Sequence, residues 1–387
     1  MADNRFELIS MPASREPVSL LAVDRAVSEL RRGRFVVIRG GGGAAVLAQS
    51  AEAIAPEALA EIRAVSRAAP VLAVTARRAA VLGLAETAGK IVILSSGEAL
   101  TADVIRDLAD PLTANPPSEQ VKRSLTVTVK ETPTHDCESA AVALTKLARL
   151  LPAAVTAGIA DPTADDLAGW AARHDLLLVD AGDIFQYDGT AARTLRVVSS
   201  ARVPLSDTQE TRIIAFRPLD GGFEHLAIII GDPPKGEPVL ARLHSECFTG
   251  DLLGSLRCDC GDQLQGAIRE IAAAGAGVLL YLAQEGRGIG LVNKLRAYEL
   301  QDRGFDTIDA NEQLGFDADE RVYLPGAQIL RLLGFDRVRL MTNNPAKVQA
   351  LSNCGITVEE RVPHAFPSNK HNESYLRTKA ARGGHVF

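Results

Sequence analysis

From Leu20 to about Gly182, short apolar runs alternate with Ala-rich stretches of helical period. This alternation constrains the fold more than any other feature. Phe35-Val36-Val37-Ile38 and Ile91-Val92-Ile93-Leu94 put apolar side chains on both faces of an extended strand, so both faces need cover. The intervening stretches supply it: Leu20, Leu21, Val23, Ala26, Val27 and Leu30 recur on one helical face, and Gly33 ends the helix. An α/β domain with a largely buried sheet is expected for residues 1–202.

The pattern changes after Ser199–Asp207, which reads as the connection between halves. Thr211–Phe216, His225–Ile230 and Val239–His244 are separated by short Gly/Pro or polar turns, the mark of an antiparallel meander. Helices are expected near Gln263–Ala274, Leu291–Arg303, Ala327–Leu333 and Ala346–Asn353, with strands at Val278–Leu282 and Val338–Met341. Residues 203–387 thus form a second domain of mixed α+β type, and a chain of 387 residues is long enough for two cores. The net charge of −6, split evenly between the halves, excludes a sequence-blind nucleic-acid binder and requires any polyanion to be held by a local cation cluster. No apolar run has the length of a membrane span, and Met1–Ser10 has no secretory pattern, so a cytoplasmic protein without membrane partners is expected.

Three of the five cysteines crowd into Cys247-x10-Cys258-x-Cys260. In a reducing compartment such crowding favours metal ligation over disulfides. Three thiolates suit a catalytic zinc, whose fourth position stays open. The alternative is a structural site closed by His244 or Cys354. On an extended strand, however, His244 points away from Cys247, and Cys354 reads as a small buried residue at a helix end.

Four blocks in register carry a family resemblance: RLHSECFTGDLLGSLRCDCG (Arg242–Gly261), YLAQEGRGIGLVNKLRAYELQDRGFDT (Tyr281–Thr307), LGFDADER (Leu314–Arg321) and MTNNPAKV (Met341–Val348). They resemble GTP cyclohydrolase II, a dimeric enzyme of riboflavin synthesis. It opens the imidazole ring of GTP and releases formate and pyrophosphate. The resemblance implies zinc on Cys247, Cys258 and Cys260, and magnesium on the phosphates. It places Arg242, Leu243, His244, Ser245, Glu246, Gln263, Glu285, Gly286, Arg287, Thr307, Thr342 and Lys347 around GTP. It assigns Asp319 as general base, Arg321 as the group acting at the innermost phosphorus, and Tyr298 as an aid to ring opening. Arginine is a poor nucleophile at its usual pKa, so phosphate stabilisation is the more natural task for Arg321.

Residues 17–200 resemble a dihydroxybutanone phosphate synthase, through the helix Val23–Arg32, the strand Phe35–Ile38 and the run Ser124–Val129. The chemistry of that enzyme does not carry over. Its acidic cluster after the first strand is replaced by Arg39-Gly40-Gly41-Gly42-Gly43, with no carboxylate until Glu52, and its Gly-His-Thr-Glu-Ala block has no counterpart. Without paired carboxylates there is neither a magnesium site nor an acid–base pair. A catalytically silent domain is expected.

Overall fold

The computed structural model describes residues 16–85, 91–96, 99–130, 136–161, 166–367, 370 and 382. The N-terminal Met1–Ser10 therefore lies outside the described residues. The chain forms two compact units, one gathering Ser14–Tyr187 with Val292–Glu320, the other Asp188–Leu291 with the chain from Arg321 onward. Each holds a seven-stranded sheet covered by helices.

In the first unit the strands are β1 (Val36–Arg39), β2 (Ala45–Ser50), β3 (Val71–Thr75), β4 (Ile91–Ser95), β5 (Thr126–Lys130), β6 (Ala153–Gly158) and β7 (Leu177–Asp180), in the order β5-β4-β3-β6-β2-β1-β7. All neighbours are antiparallel except β1 and β7. Period-two alternation divides the core: Val36 and Ile38 pack with the helices Glu16–Arg31 and Cys137–Leu147 on one face. Val37 and Leu47 pack with Pro56–Ser66 and Ala102–Ala109 on the other. The glycine run makes one tight exposed turn, with Gly42 and Gly43 at φ 65° and 81°.

In the second unit the strands are β8 (Arg196–Arg202), β9 (Thr211–Arg217), β10 (His225–Ile230), β11 (Val239–Ser245), β12 (Gly277–Leu282), β13 (Arg337–Met341) and β14 (Thr357–Val362), in the order β14-β13-β11-β12-β10-β9-β8. Two expectations are corrected. The connection placed at Ser199–Asp207 begins inside an edge strand: β8 is exposed along its whole length and held by backbone pairing to β9, so it lacks an apolar signature. β11 is not the third strand of a meander either. It lies parallel between β12 and β13, and only β8, β9 and β10 run antiparallel in sequence. The near-complete burial of β11 is what a central parallel strand requires.

The chain leaves β11 for β12 on one side and later reaches β13 on the other. The helix Cys260–Ala273 packs with Leu240, Leu279 and Met341 on one face, while Leu324–Leu333 and Pro345–Asn353 pack with Ala241, Leu243, Leu280 and Leu340 on the opposite face. Such a reversal opens a crevice at the carboxyl ends of the strands. The helices Leu291–Asp302 and Thr307–Gln313, lying after the boundary drawn at residue 203, are grouped almost wholly with the first unit.

Candidate active site and metal centre

β11 carries Arg242, His244 and Ser245 at its carboxyl end, and Glu246 alone separates it from Cys247. One helical turn, Phe248–Leu252, carries the chain back, and Cys260 opens the next helix. The sulfurs of Cys247, Cys258 and Cys260 lie within 4.8 Å of one another, with Cys247 and Cys258 at 3.7 Å. Sulfurs around a tetrahedral zinc, at about 2.3 Å each, stand roughly 3.8 Å apart, so the thiols fit that ion. Sharing its hydrogen bond with Cys247 pushes Cys258 up to about 11, and its two neighbours, with burial, also raise Cys260. Three thiolates side by side therefore call for a cation between them. Among the described residues this is the one cluster able to hold a metal, and neither His244 nor Cys354 joins it.

Gly250 explains why the thiols can close. A Cβ there would meet the Cys258 sulfur at 2.8 Å, the Cys260 Cβ at 2.9 Å and the Cys247 sulfur at 3.1 Å. Gly250→Ala is expected to cost about 1–3 kcal/mol of overpacking at this point. Zinc affinity should fall while the far-ultraviolet circular dichroism stays native. Native metal content in that variant would show that the turn yields.

Two carboxylates that sequence reasoning did not assign to this task hold the turn in place. Asp251 accepts from the Cys247 backbone N–H (2.9 Å) and the Tyr281 hydroxyl (2.9 Å), and pairs with His244 Nε2 (3.0 Å). Glu285 accepts from the Phe248 N–H at 2.6 Å and the Gly286 N–H at 2.9 Å. The Glu285 carboxylate, expected at GTP, is thus buried against backbone. Desolvation depresses the His244 pKa; Asp251 opposes the shift, and Arg242 and Lys347 add to it. Its Nδ1 is buried without a hydrogen-bond partner.

The cations come from a strand, a loop and a helix: Arg242 on β11, Arg321 ahead of Leu324–Leu333, and Lys347 in Pro345–Asn353. Arg242 donates to the Met341 carbonyl (2.9 Å) and to Gln263 (2.5 Å), and burial pushes its pKa down to about 10. Arg321 adds to that depression, which puts a second positive charge close by. Lys347 follows Asn344, whose side chain caps the helix with Pro345 in its first turn, and its ammonium donates to the Leu243 carbonyl at 3.2 Å. Leu243 offers its backbone here, its side chain being core. Thr342 accepts the Asn344 N–H at 3.1 Å, and Ser245 accepts from Gln284 at 3.0 Å. After β12 the backbone makes a left-handed turn through Gly286, Arg287 and Gly288, at φ 65°, 60° and 97°. A non-glycine residue held there is a strained arrangement of the kind found at binding sites.

Tyr298, Thr307 and Asp319 belong to the first unit. Tyr298 is partly buried on the helix Leu291–Asp302, Thr307 opens the helix capped by Asp306, and Asp319 stands exposed in the loop that follows. Sequence reasoning also missed His364. It is buried beside the site, bonding Gln263 O at 2.9 Å and Glu270 at 3.1 Å, and Asn343 clamps its backbone. A lone His in a polar tail carries no signal of this.

Fold and site define an α/β enzyme with a thiol cluster able to hold a metal, close to the buried cations Arg242 and Lys347. The family model described as GTP cyclohydrolase II matches residues 196–363, beginning with β8. The chain is 60% identical to GTP cyclohydrolase-2 of Azospirillum brasilense over 372 residues, 96% of this chain and 95% of that protein. It is 54% identical to GTP cyclohydrolase-2 of Cronobacter sakazakii over 193 residues, which are 50% of this chain and 98% of that protein. Among solved structures it matches a two-domain 3,4-dihydroxy-2-butanone 4-phosphate synthase from A. baumannii at 19% identity and a TM-score of 0.37, over 89% of this chain and 99% of that one. The chain belongs to the GTP cyclohydrolase II family. No helix among the described residues is long and apolar enough to cross a membrane.

Proposed function

We propose that this enzyme hydrolyses GTP to 2,5-diamino-6-(5-phospho-ribosylamino)pyrimidin-4(3H)-one, formate and pyrophosphate, the first step of riboflavin biosynthesis, as a cytoplasmic homodimer. The observation that carries the reading is the set of three thiols at zinc spacing beside Arg242, Arg321 and Lys347. Cys247, Cys258 and Cys260 would hold zinc, and magnesium would accompany the phosphates. When bound, zinc supplies the Lewis acidity for hydrolysis at carbon 8.

The protein's own groups do the rest. Arg242, Arg321 and Lys347 neutralise the triphosphate, and the left-handed turn brings the Arg287 side chain to it. Ser245, Glu246, Gln263, Thr307 and Thr342 supply donors and acceptors for the base and ribose. Asp251 fixes Cys247 through its backbone, and with it the direction of the thiol. Asp319 accepts a proton, and Tyr298 assists the later ring opening.

The first half retains no synthase activity in this reading. Gly40–Gly43 stands where carboxylates are required, and Glu52, the first one after it, is committed to the Leu151 N–H (2.8 Å) and Arg296 (3.2 Å). Pure protein given GTP and magnesium should yield formate, pyrophosphate and the pyrimidine in equal amounts, and should leave ribulose 5-phosphate untouched. GTP recovered intact would overturn the first claim. Dihydroxybutanone phosphate formed at an enzymatic rate, in a preparation free of host synthase, would overturn the second.

A further inference from the structure

The loop Leu314–Glu320, which leads to Arg321, is gripped by side chains that come from far earlier in the sequence but belong to the same compact unit. The Thr75 hydroxyl donates to the Gly315 carbonyl at 2.7 Å. Arg78, only 4% exposed, donates to Leu108 O at 2.8 Å and to Gln313 O at 2.9 Å. Arg77 spans Glu312 (2.7 Å) and Asp317 (2.9 Å). Lys146 meets Glu320 at 2.6 Å, and the same Glu320 oxygen accepts the Asp317 N–H at 2.8 Å.

The fit leaves no slack. Gly315 has φ +88°, and a Cβ there would meet Pro152 Cγ, Thr75 Oγ1 and Arg78 Cβ at 3.0, 3.0 and 3.1 Å. The helix that carries Tyr298 is held in the same way, by Asn293 on the Arg149 carbonyl (3.0 Å) and by Arg296 on Glu52 (3.2 Å). Asp319 lies between two anchored acids, Asp317 and Glu320, which fix the loop on either side of it.

We propose that the N-terminal half is the positioning platform for residues 292–320, with Arg77, Arg78 and Lys146 setting the stance of the Asp319 loop and thereby the turnover of GTP. They are positioning residues, acting through the loop. The inference rests on the proposed role of Asp319, and it gives the catalytically silent half a task that needs no chemistry of its own. Displacing a reacting group by about 1 Å can cost up to ~100-fold in rate without weakening substrate binding, so the effect belongs in kcat.

The test uses the full-length zinc-loaded enzyme with Lys146→Ala, Arg77→Ala, the conservative Lys146→Arg, and the charge-swapped pair Lys146→Glu with Glu320→Lys. Amide hydrogen exchange of residues 312–321 reads the tether, formate release gives kcat and KM for GTP, and metal analysis guards against general damage. The alanine variants should exchange faster in that segment and lose about tenfold or more in kcat, with KM and zinc content native. Lys146→Arg should recover most of both, and the swapped pair, which restores the ion pair but not the acceptor for the Asp317 N–H, should recover part. Faster exchange with native kcat would overturn the platform, as would native exchange in both alanine variants. A joint fall of kcat, zinc content and melting temperature would reduce the contacts to ordinary stability and overturn it too. Asp319→Asn separates the two ideas: if that variant turns over normally, the role given to Asp319 fails, while the exchange data still report whether the loop is tethered.

Discussion

Replacing Cys258 with serine is expected to leave an enzyme with almost no zinc and no measurable formate release. Cys258 sits 3.7 Å from Cys247, inside a cluster that has only three sulfurs to offer an ion. A serine hydroxyl is shorter, harder and protonated at neutral pH, so two thiolates would be left to hold the ion. Metal binding needs deprotonated ligands, and a bound cation favours that state. Cys137 and Cys354 provide controls. Cys137 is buried in the first unit with its sulfur on the Ile38 carbonyl, and Cys354 ends the helix Pro345–Asn353. Serine at either should leave one zinc per chain. The measurement is zinc per chain alongside formate from GTP, and native turnover by zinc-free Cys258→Ser would sink the metal reading.

Arg321→Ala is expected to lower pyrophosphate release by at least ~100-fold, the scale of removing one key electrostatic donor. Arg321 lies close enough to buried Arg242 to depress its pKa, and its guanidinium stands 5.7 Å from the Tyr323 ring centre. Gathering like charges in a desolvated site is unfavourable unless a polyanion compensates, and a triphosphate does so. Cleavage at the α phosphate and opening at carbon 8 occur at separate parts of GTP. Cys260→Ser should therefore abolish formate while some pyrophosphate still forms, leaving guanosine monophosphate. If phosphate cleavage comes first, Arg321→Ala loses formate as well. Formate at the native rate from Arg321→Ala would refute that order and leave Arg321 as a clamp.

Legibility followed the physics of each element. Helices with a clear apolar period, such as Leu324–Leu333, and buried strands such as β12 were readable because burial writes a pattern into sequence. β8 was not, since an exposed edge strand is stabilised by backbone alone. The direction of β11 was not either, because residues buried on both faces do not say which neighbour they will pair with. In the site, the cysteine spacing identified the thiol cluster, since few other arrangements explain it. Asp251 and Glu285 escaped notice as supports because a carboxylate bonded to backbone N–H groups has the same letters as one facing solvent. The destination of Val292–Glu320 was hidden for a related reason: Ile308, Leu314 and Phe316 announce that they are buried, and nothing local announces against what.

That last segment bears on how the chain matures during synthesis. The ribosome releases Tyr187 more than a hundred residues before Val292–Glu320, which belongs to the same compact unit. Domains usually fold in order as they emerge, but here the earlier one must wait with Thr75, Arg78 and Pro152 uncovered. The closing contact spans 240 residues from Thr75 to Gly315, and long closures slow folding. During the wait the nascent chain presents an incomplete surface to chaperones and proteases. A ribosome-stalled chain ending near Leu291 should be cut more readily within its first half than one ending past Glu320.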